Sequence, residues 1–391
     1  MVEKAWIERG HLDNPLVDGI IVDEFAAGDD PIWAEWHEAL KRIRDNPRYA
    51  GKVYYPYCGP LHGAQASRAF AQTVIDAGWA VALERYLHEE ATEADARHAI
   101  NTLVVDTVKA WEEAQPGVVR NMLMVWGFFI SAPPESTNIY PNVDLKAFTD
   151  MQMNVLANDP TFFGLYGITS YLSGYSDEET IRWYGKLCRH YCIEGKTERL
   201  TDYYELDHID NPDFEQGLTG WTVKPAEQGS ITAGVADGLS WLQGRYPTTT
   251  VGNTHMLMRR SAVAPNSVTQ TIRGLKPGRL YSVKMFSGDK QEYDAGKSVK
   301  GPHAVQLAVE GAEIVEGSSF QFPFGSCYSH HFGDFNRDNP YFMNFYGTIF
   351  RARSETARLT ITDWASPTEP GGPIGQELMI NFLEVQPYYA E

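Results

Sequence analysis

The chain has 391 residues, enough for two domains with separate cores, 13% aromatic content and a formal net charge of −18. That charge, with no extended run of Lys and Arg, argues against a polyanion partner, because a nucleic-acid binder needs a basic face to displace counterions. No run of about 20 apolar residues is present to span a bilayer, and the four cysteines (Cys58, Cys188, Cys192, Cys327) are too few for a disulfide scaffold.

Residues 1–10 read as a helix rather than as the basic-then-apolar stretch of a secretory leader. Gly19-Ile20-Ile21-Val22-Asp23-Glu24-Phe25 is a short apolar run ending in acids, as in a buried parallel strand. Pro31 then opens a helix, with Asp29 or Asp30 as its cap. Strands follow at 52–57, 79–84, 122–130 and 162–168, and helices at about 64–77, 92–114, 144–157 and 177–194. Cys188 and Cys192 flank His190 on the last helix, which reads as two half-buried cysteines rather than as a metal site.

Five β/α units in strict alternation predict a parallel sheet covered by helices, either an open doubly wound sheet or the later part of an eight-stranded barrel. No glycine-rich loop follows the first strand, which disfavours nucleotide binding. An open five-stranded portion also exposes two edges, which further strands, the second domain or another chain must cover.

Near residue 208 the pattern changes. Short alternating strands are expected near 221–224, 255–260, 267–273, 280–286, 303–309, 347–353, 357–362 and 378–386, with turns such as Lys276-Pro277-Gly278 between them. Residues 312–346 read as a long loop region.

Asn211-Pro212-Asp213-Phe214-Glu215 with Gly220-Trp221, Val268-Thr269-Gln270-Thr271-Ile272, Leu275 to Val283, and Phe382-Leu383-Glu384-Val385 carry a resemblance. Over 209–388 the chain resembles the jelly-roll, galactose-binding-like carbohydrate-binding modules of xylanases and cellulases. The resemblance implies a structural calcium held by acids near the first and last strands, at Glu215 and Glu384. The first half resembles the later part of a glycoside-hydrolase (β/α)8 barrel, on its pattern and on Val22-Asp23-Glu24-Phe25. That likeness implies Glu24 as the acid/base residue. The strand at 122–130, where such enzymes carry a nucleophile, has no acid at its tip.

The expected fold class is therefore α/β plus all-β. A TIM-barrel-like catalytic domain, complete or N-terminally incomplete, covers 1–207, and a jelly-roll β-sandwich covers 208–391. Barrel active sites lie at the C-terminal ends of strands, so Glu24, Glu84 and Asp23 are the candidate catalytic carboxylates. Alternation places only one of Asp23 and Glu24 inside, unless the strand has already ended. Tyr55, Tyr57, Trp126, Tyr166 and Tyr171 near strand ends, and Trp241, Arg245 and Tyr246 in the sandwich, are the candidate sugar contacts.

Trp221 and Trp364 are further ring candidates in the sandwich, with Trp221 assigned to its core. A polar group at Asp334, Asn336, Arg337 and Asp338 is a solvated loop or a site rim, and His62 is a loop histidine, either an aid to protonation or, more commonly for a lone loop histidine, incidental. The expected function is hydrolysis of a polysaccharide without a catalytic cofactor. The compartment is extracellular or periplasmic if the chain belongs to a longer secreted enzyme. The alternatives are a non-catalytic carbohydrate binder and a protein-interaction module.

Overall fold

A computed structural model describes residues 2–127, 136–171, 176–245, 250–326 and 338–390. The first half holds five strands, β1 (Gly19–Phe25), β2 (Val53–Cys58), β3 (Val81–Arg85), β4 (Met122–Gly127) and β5 (Gly167–Tyr171). The helices between and around them are α1 (Val2–Arg9), α2 (Ile32–Asp45), α3 (Gln65–Asp76), α4 (Glu93–Ile100), α5 (Thr107–Ala114), α6 (Leu145–Asn158) and α7 (Glu178–Leu187). A π-helical segment joins α4 to α5, so the long helix expected at 92–114 is continuous in all but its hydrogen-bond register.

Capping follows the sequence. Thr92, Asp144 and Asp177 accept the first free amides of α4, α6 and α7. Pro31 itself sits at the N-cap of α2, and Asp29 instead accepts the Ala66 amide at the start of α3.

The five strands are all parallel and run in the spatial order β1-β2-β3-β4-β5. A doubly wound sheet would reverse its order at a switch point; this one never does. Right-handed crossovers that always step the same way leave every helix on one face. Along β2 burial alternates accordingly, with Tyr54, Pro56 and Cys58 buried and Val53, Tyr55 and Tyr57 partly exposed.

The sheet also curls. Tyr57 on β2 hydrogen-bonds Thr169 on β5, and the Tyr55 and Tyr166 hydroxyls lie 3.1 Å apart. In a flat sheet those strands stand about 14 Å apart, too far for such side chains to meet. Even so, no ladder joins β5 to β1 among the described residues, so they form a curled open sheet and not a closed barrel.

The second half is antiparallel. One sheet has the order β12-β14-β10-β16-β8-β7 with β13 also on β14, and the other the order β11-β15-β9-β6. Their ranges are β6 (Thr222–Lys224), β7 (Ile231–Val235), β8 (Thr254–Arg259), β9 (Ser267–Ile272), β10 (Leu280–Asp289), β11 (Gln306–Glu310), β12 (Ala312–Ile314), β13 (Phe320–Ser326), β14 (Tyr341–Ala352), β15 (Ala357–Thr362) and β16 (Glu377–Pro387). This arrangement is consistent with a β-sandwich.

Tyr281, Val283 and Met285 of β10 point between the sheets into a core shared with Trp221, Val268, Leu359 and Ile361. The region expected as a long loop contains β12, β13 and the start of β14. Pro323 is tolerated because β13 is an edge strand with one partner. β7 was also absent from the expected strands.

The two halves share a second core, in which Phe286, Met343, Phe345 and Phe382 join the side chains under the parallel sheet. Buried charges stitch the same junction. Lys146 of α6 lies 2.7 Å from Glu179, and Lys284 of β10 lies 2.7 Å from Asp177 and 3.1 Å from Glu179.

Candidate functional site

The helix-free face of the parallel sheet gathers most of the residues expected to act. Cross-strand neighbours in a parallel ladder share a face, so Tyr57, Ala82, Leu123 and Gly167 form one row and Glu84, Val125 and Thr169 the next. Ala82 and Gly167 are small, which leaves room for tyrosine rings to lie over them. Ile21, Tyr166 and Tyr171 are 58%, 49% and 42% exposed on or beside this face.

A bulge settles the alternation at Asp23 and Glu24. Val22 pairs with Pro56 and Phe25 with Cys58, so two residues of β1 stand opposite the single residue Tyr57. Glu24 absorbs the extra residue with φ of +68°, and its amide donates to the Asp23 carboxylate at 2.9 Å. Val22 and Phe25 both face the helices. Asp23 and Glu24 are both exposed, and of the two it is Asp23 whose charge reaches Tyr57 and Tyr86. The bulge is the local end of regular alternation at this pair.

Glu84 reaches the same region from β3. Its carboxylate accepts the Tyr86 hydroxyl at 2.5 Å, and Arg85 donates to the Glu84 carbonyl rather than to the carboxylate. Burial raises the Tyr57 hydroxyl above its ordinary range, and the negative charges of Glu84 and Asp23 add to the effect. The Tyr86 hydroxyl is raised by burial, by its bond to Glu84, and again by Asp23. Two carboxylates from β1 and β3 thus act on the same pair of phenols. Tyr55 is pushed up to about 12 by burial and by Tyr166, and the Tyr86 and Tyr171 rings stack with centroids 6.0 Å apart.

Tyr86 and Thr169 were not among the expected residues. Tyr86 stands two residues after Glu84, and that spacing alone marks a shared side.

Other expected residues lie elsewhere. Trp126 follows Met122 and Met124 on the helix-facing side of β4 and is 1% exposed in the core, so it lines no sugar platform. Trp241 is buried, and so is Trp364, whose indole donates to the Ser261 carbonyl. Trp221 packs in the sandwich core as expected. Arg245 is buried too. It forms a two-pronged ion pair with Asp213, and its guanidinium lies 4.0 Å above the Phe382 ring, so it is a structural residue and not a sugar contact. His62 packs its ring against Trp111. Tyr246, Asp334, Asn336 and Arg337 lie outside the described residues.

The calcium expectation does not fit. Glu215 is exposed, whereas Glu384 is buried at the domain junction, with Asn138 3.3 Å away and Gln386 in contact. Two buried ammonium groups, Lys284 and Lys146, already supply positive charge beside Glu384. Among the described residues, no group of three or more His, Cys, Asp or Glu is placed to hold a metal ion, and calcium takes six or more oxygens. Asp213, from the opening motif, instead accepts Arg245 and the Phe382 amide at 2.7 Å.

No protein-family model matches the chain, and no curated protein matches it. Among solved structures, the chain is similar to TmCBM61 in complex with beta-1,4-galactotriose, at 13% identity and a TM-score of 0.25, over 46% of this chain and 97% of that one. It is also similar to the CBM22-1 xylan-binding domain from Paenibacillus barcinonensis, at 10% identity and a TM-score of 0.24, over 46% and 93%. A third likeness is to a chitinase from Bacillus thuringiensis, at 10% identity and a TM-score of 0.29, over 88% and 74%. At such scores, what these proteins bind or cleave says nothing about this chain.

Proposed function

We propose that the protein is a carbohydrate-active protein that binds a glycan on the open face of its parallel sheet and hydrolyses it with the strand-end carboxylates Glu24, Glu84 and Asp23. The observation that carries this reading is that Asp23 and Glu84, from different strands, bear on the same two tyrosines, with Glu24 next to Asp23 in a bulge of β1. Tyrosine rings offer flat apolar faces to sugar C–H groups and hydroxyls to sugar oxygens.

Glu24 is assigned as proton donor and Glu84 as its partner. Their strands are two intervals apart, about 10 Å between backbones. That distance favours the wider carboxyl spacing, which admits a water and inverts the anomeric centre.

Release of reducing sugar from a panel of neutral polysaccharides tests the assignment in wild type, Glu24→Gln and Glu84→Gln. A loss of at least about a hundredfold is expected for each variant. Equal activity in wild type and Glu24→Gln removes Glu24 from the mechanism.

A binding-only reading has one observation in its favour. Asp23 and Glu24 are both solvent-exposed, whereas a proton donor works best in an enclosed apolar setting. Retention in glycan-containing gels without any turnover would select that reading.

A further inference from the structure

A second groove lies away from the parallel sheet's open face. It has a volume of about 560 Å³ and runs between the N-terminal end of α7 and the outer face of β10, β14 and β13. One wall is aromatic. Phe320 and Phe322 alternate onto the same side of β13 and remain 38% and 56% exposed. The Phe320 ring lies across β14 at Gly347, where a Cβ would come within 2.4 Å of the ring. It also packs against Phe345, with centroids 5.4 Å apart. The position of the ring therefore depends on the missing side chain at Gly347.

The floor and the opposite wall are polar. Lys284 is paired with Asp177 and Glu179, and the Ser282 hydroxyl donates to Glu179 at 2.9 Å. Glu178 and Glu316 stand at the rim. Asp177, Glu178 and Glu179 are each paired with a cation (Lys284, Arg182, and Lys146 with Lys284), and Glu316 adds negative charge, so the lining offers no surplus positive charge to an anionic ligand. The lysine is already neutralised, so no counter-charge is called for either. Flat rings facing fixed donors and acceptors suit a molecule with apolar C–H faces and many hydroxyls.

We infer that this groove is a second glycan site, specific for a neutral oligosaccharide and built jointly by the two domains, with Phe320 and Phe322 as its stacking surface. It rests on the proposed carbohydrate function and extends it. One domain would hold the chain that the other acts on.

Titration calorimetry of the full chain with neutral oligosaccharides, and with a uronic-acid oligosaccharide as the anionic probe, tests this. Phe320→Ala and Phe322→Ala each remove an exposed ring and are expected to fold normally. Each should weaken neutral-glycan binding about tenfold, and Gly347→Ala should resemble Phe320→Ala by displacing the ring. The anionic probe should not bind.

Three outcomes overturn the proposal. Unchanged affinity in both Phe variants, with binding abolished by Tyr55→Ala and Tyr57→Ala, confines glycan binding to the parallel sheet. Binding of the uronic-acid probe through the Phe residues refutes the stated chemistry. Failure of wild type to bind any glycan removes the carbohydrate function together with this site.

Discussion

Replacing Glu384 with Gln isolates the electrostatics of the domain junction. The wild-type carboxyl is fully enclosed, and burial lifts it from 4.5 to about 7 even though Lys284 and Lys146 pull the other way. Glu179 adds like charge, and Glu89, itself raised by burial, feels Glu384 in turn. A folded-state value above the unfolded one means that the native state holds the proton more tightly. Below about pH 4.5 both states are protonated and Glu384 costs nothing. As pH rises toward 7 the unfolded state ionises freely while the folded state resists, so stability falls, and above 7 the loss is complete. The gap between 4.5 and about 7 corresponds to about 3 kcal/mol at full ionisation.

Glutamine keeps the shape and never ionises, and both lysines keep Glu179 as a counter-charge, Lys284 with Asp177 besides. Urea unfolding followed by tryptophan fluorescence should therefore find the variant within about 1 kcal/mol of wild type at pH 5 and about 3 kcal/mol more stable at pH 8. Asp144, lifted to about 6 by burial, titrates in both proteins, and Glu179, held near 2 because Lys146 and Lys284 outweigh its burial, stays ionised throughout this pH window. Parallel stability curves between pH 5 and 8, or a variant weaker at pH 8, would refute the reasoning.

Three further outcomes separate structural residues from functional ones. Arg245→Met leaves Asp213 charged and buried without its partner, which should cost about 3–5 kcal/mol and lower the unfolding midpoint, while a chelator such as EDTA should leave the wild-type midpoint unchanged. Trp126→Ala empties a core position behind the sheet and should destabilise by about 3–5 kcal/mol, with glycan affinity per folded molecule, measured by calorimetry, unaltered.

Much of the fold was legible because it rests on local periodicity. The β/α alternation, the acid-tipped strands and the change to antiparallel strands past residue 208 are all short-range signals, although the fifth strand, expected at 162–168, lies at Gly167–Tyr171 behind a 3-10 turn at Pro160–Phe162. The sequence could not show which side of a strand a residue takes when every residue is apolar. Met122-Leu123-Met124-Val125-Trp126 has no alternation, and Trp126 went to the helix side through its parity with two buried methionines. β13 was hidden for a different reason. Phe320, Phe322 and Phe324 do alternate, but Pro323 between them is a poor strand residue anywhere except at an edge, and edge position is a tertiary property.

The junction was the least legible part. Asn138 and Glu384 are 246 positions apart, as are Lys146 and Gln386 by 240, so no local rule brings them together. Glu384 matches a metal-ligand position in the motif, yet its neighbours Asn138, Lys146 and Lys284 come from distant parts of the chain and make it a junction residue. At Asp23 and Glu24 a bulge with one residue at positive φ interrupts the regular alternation of the strand. If the open face is catalytic, that conformation is part of the machinery. An acid is held there in a region few side chains accept, directly after Asp23, whose charge reaches Tyr57 and Tyr86.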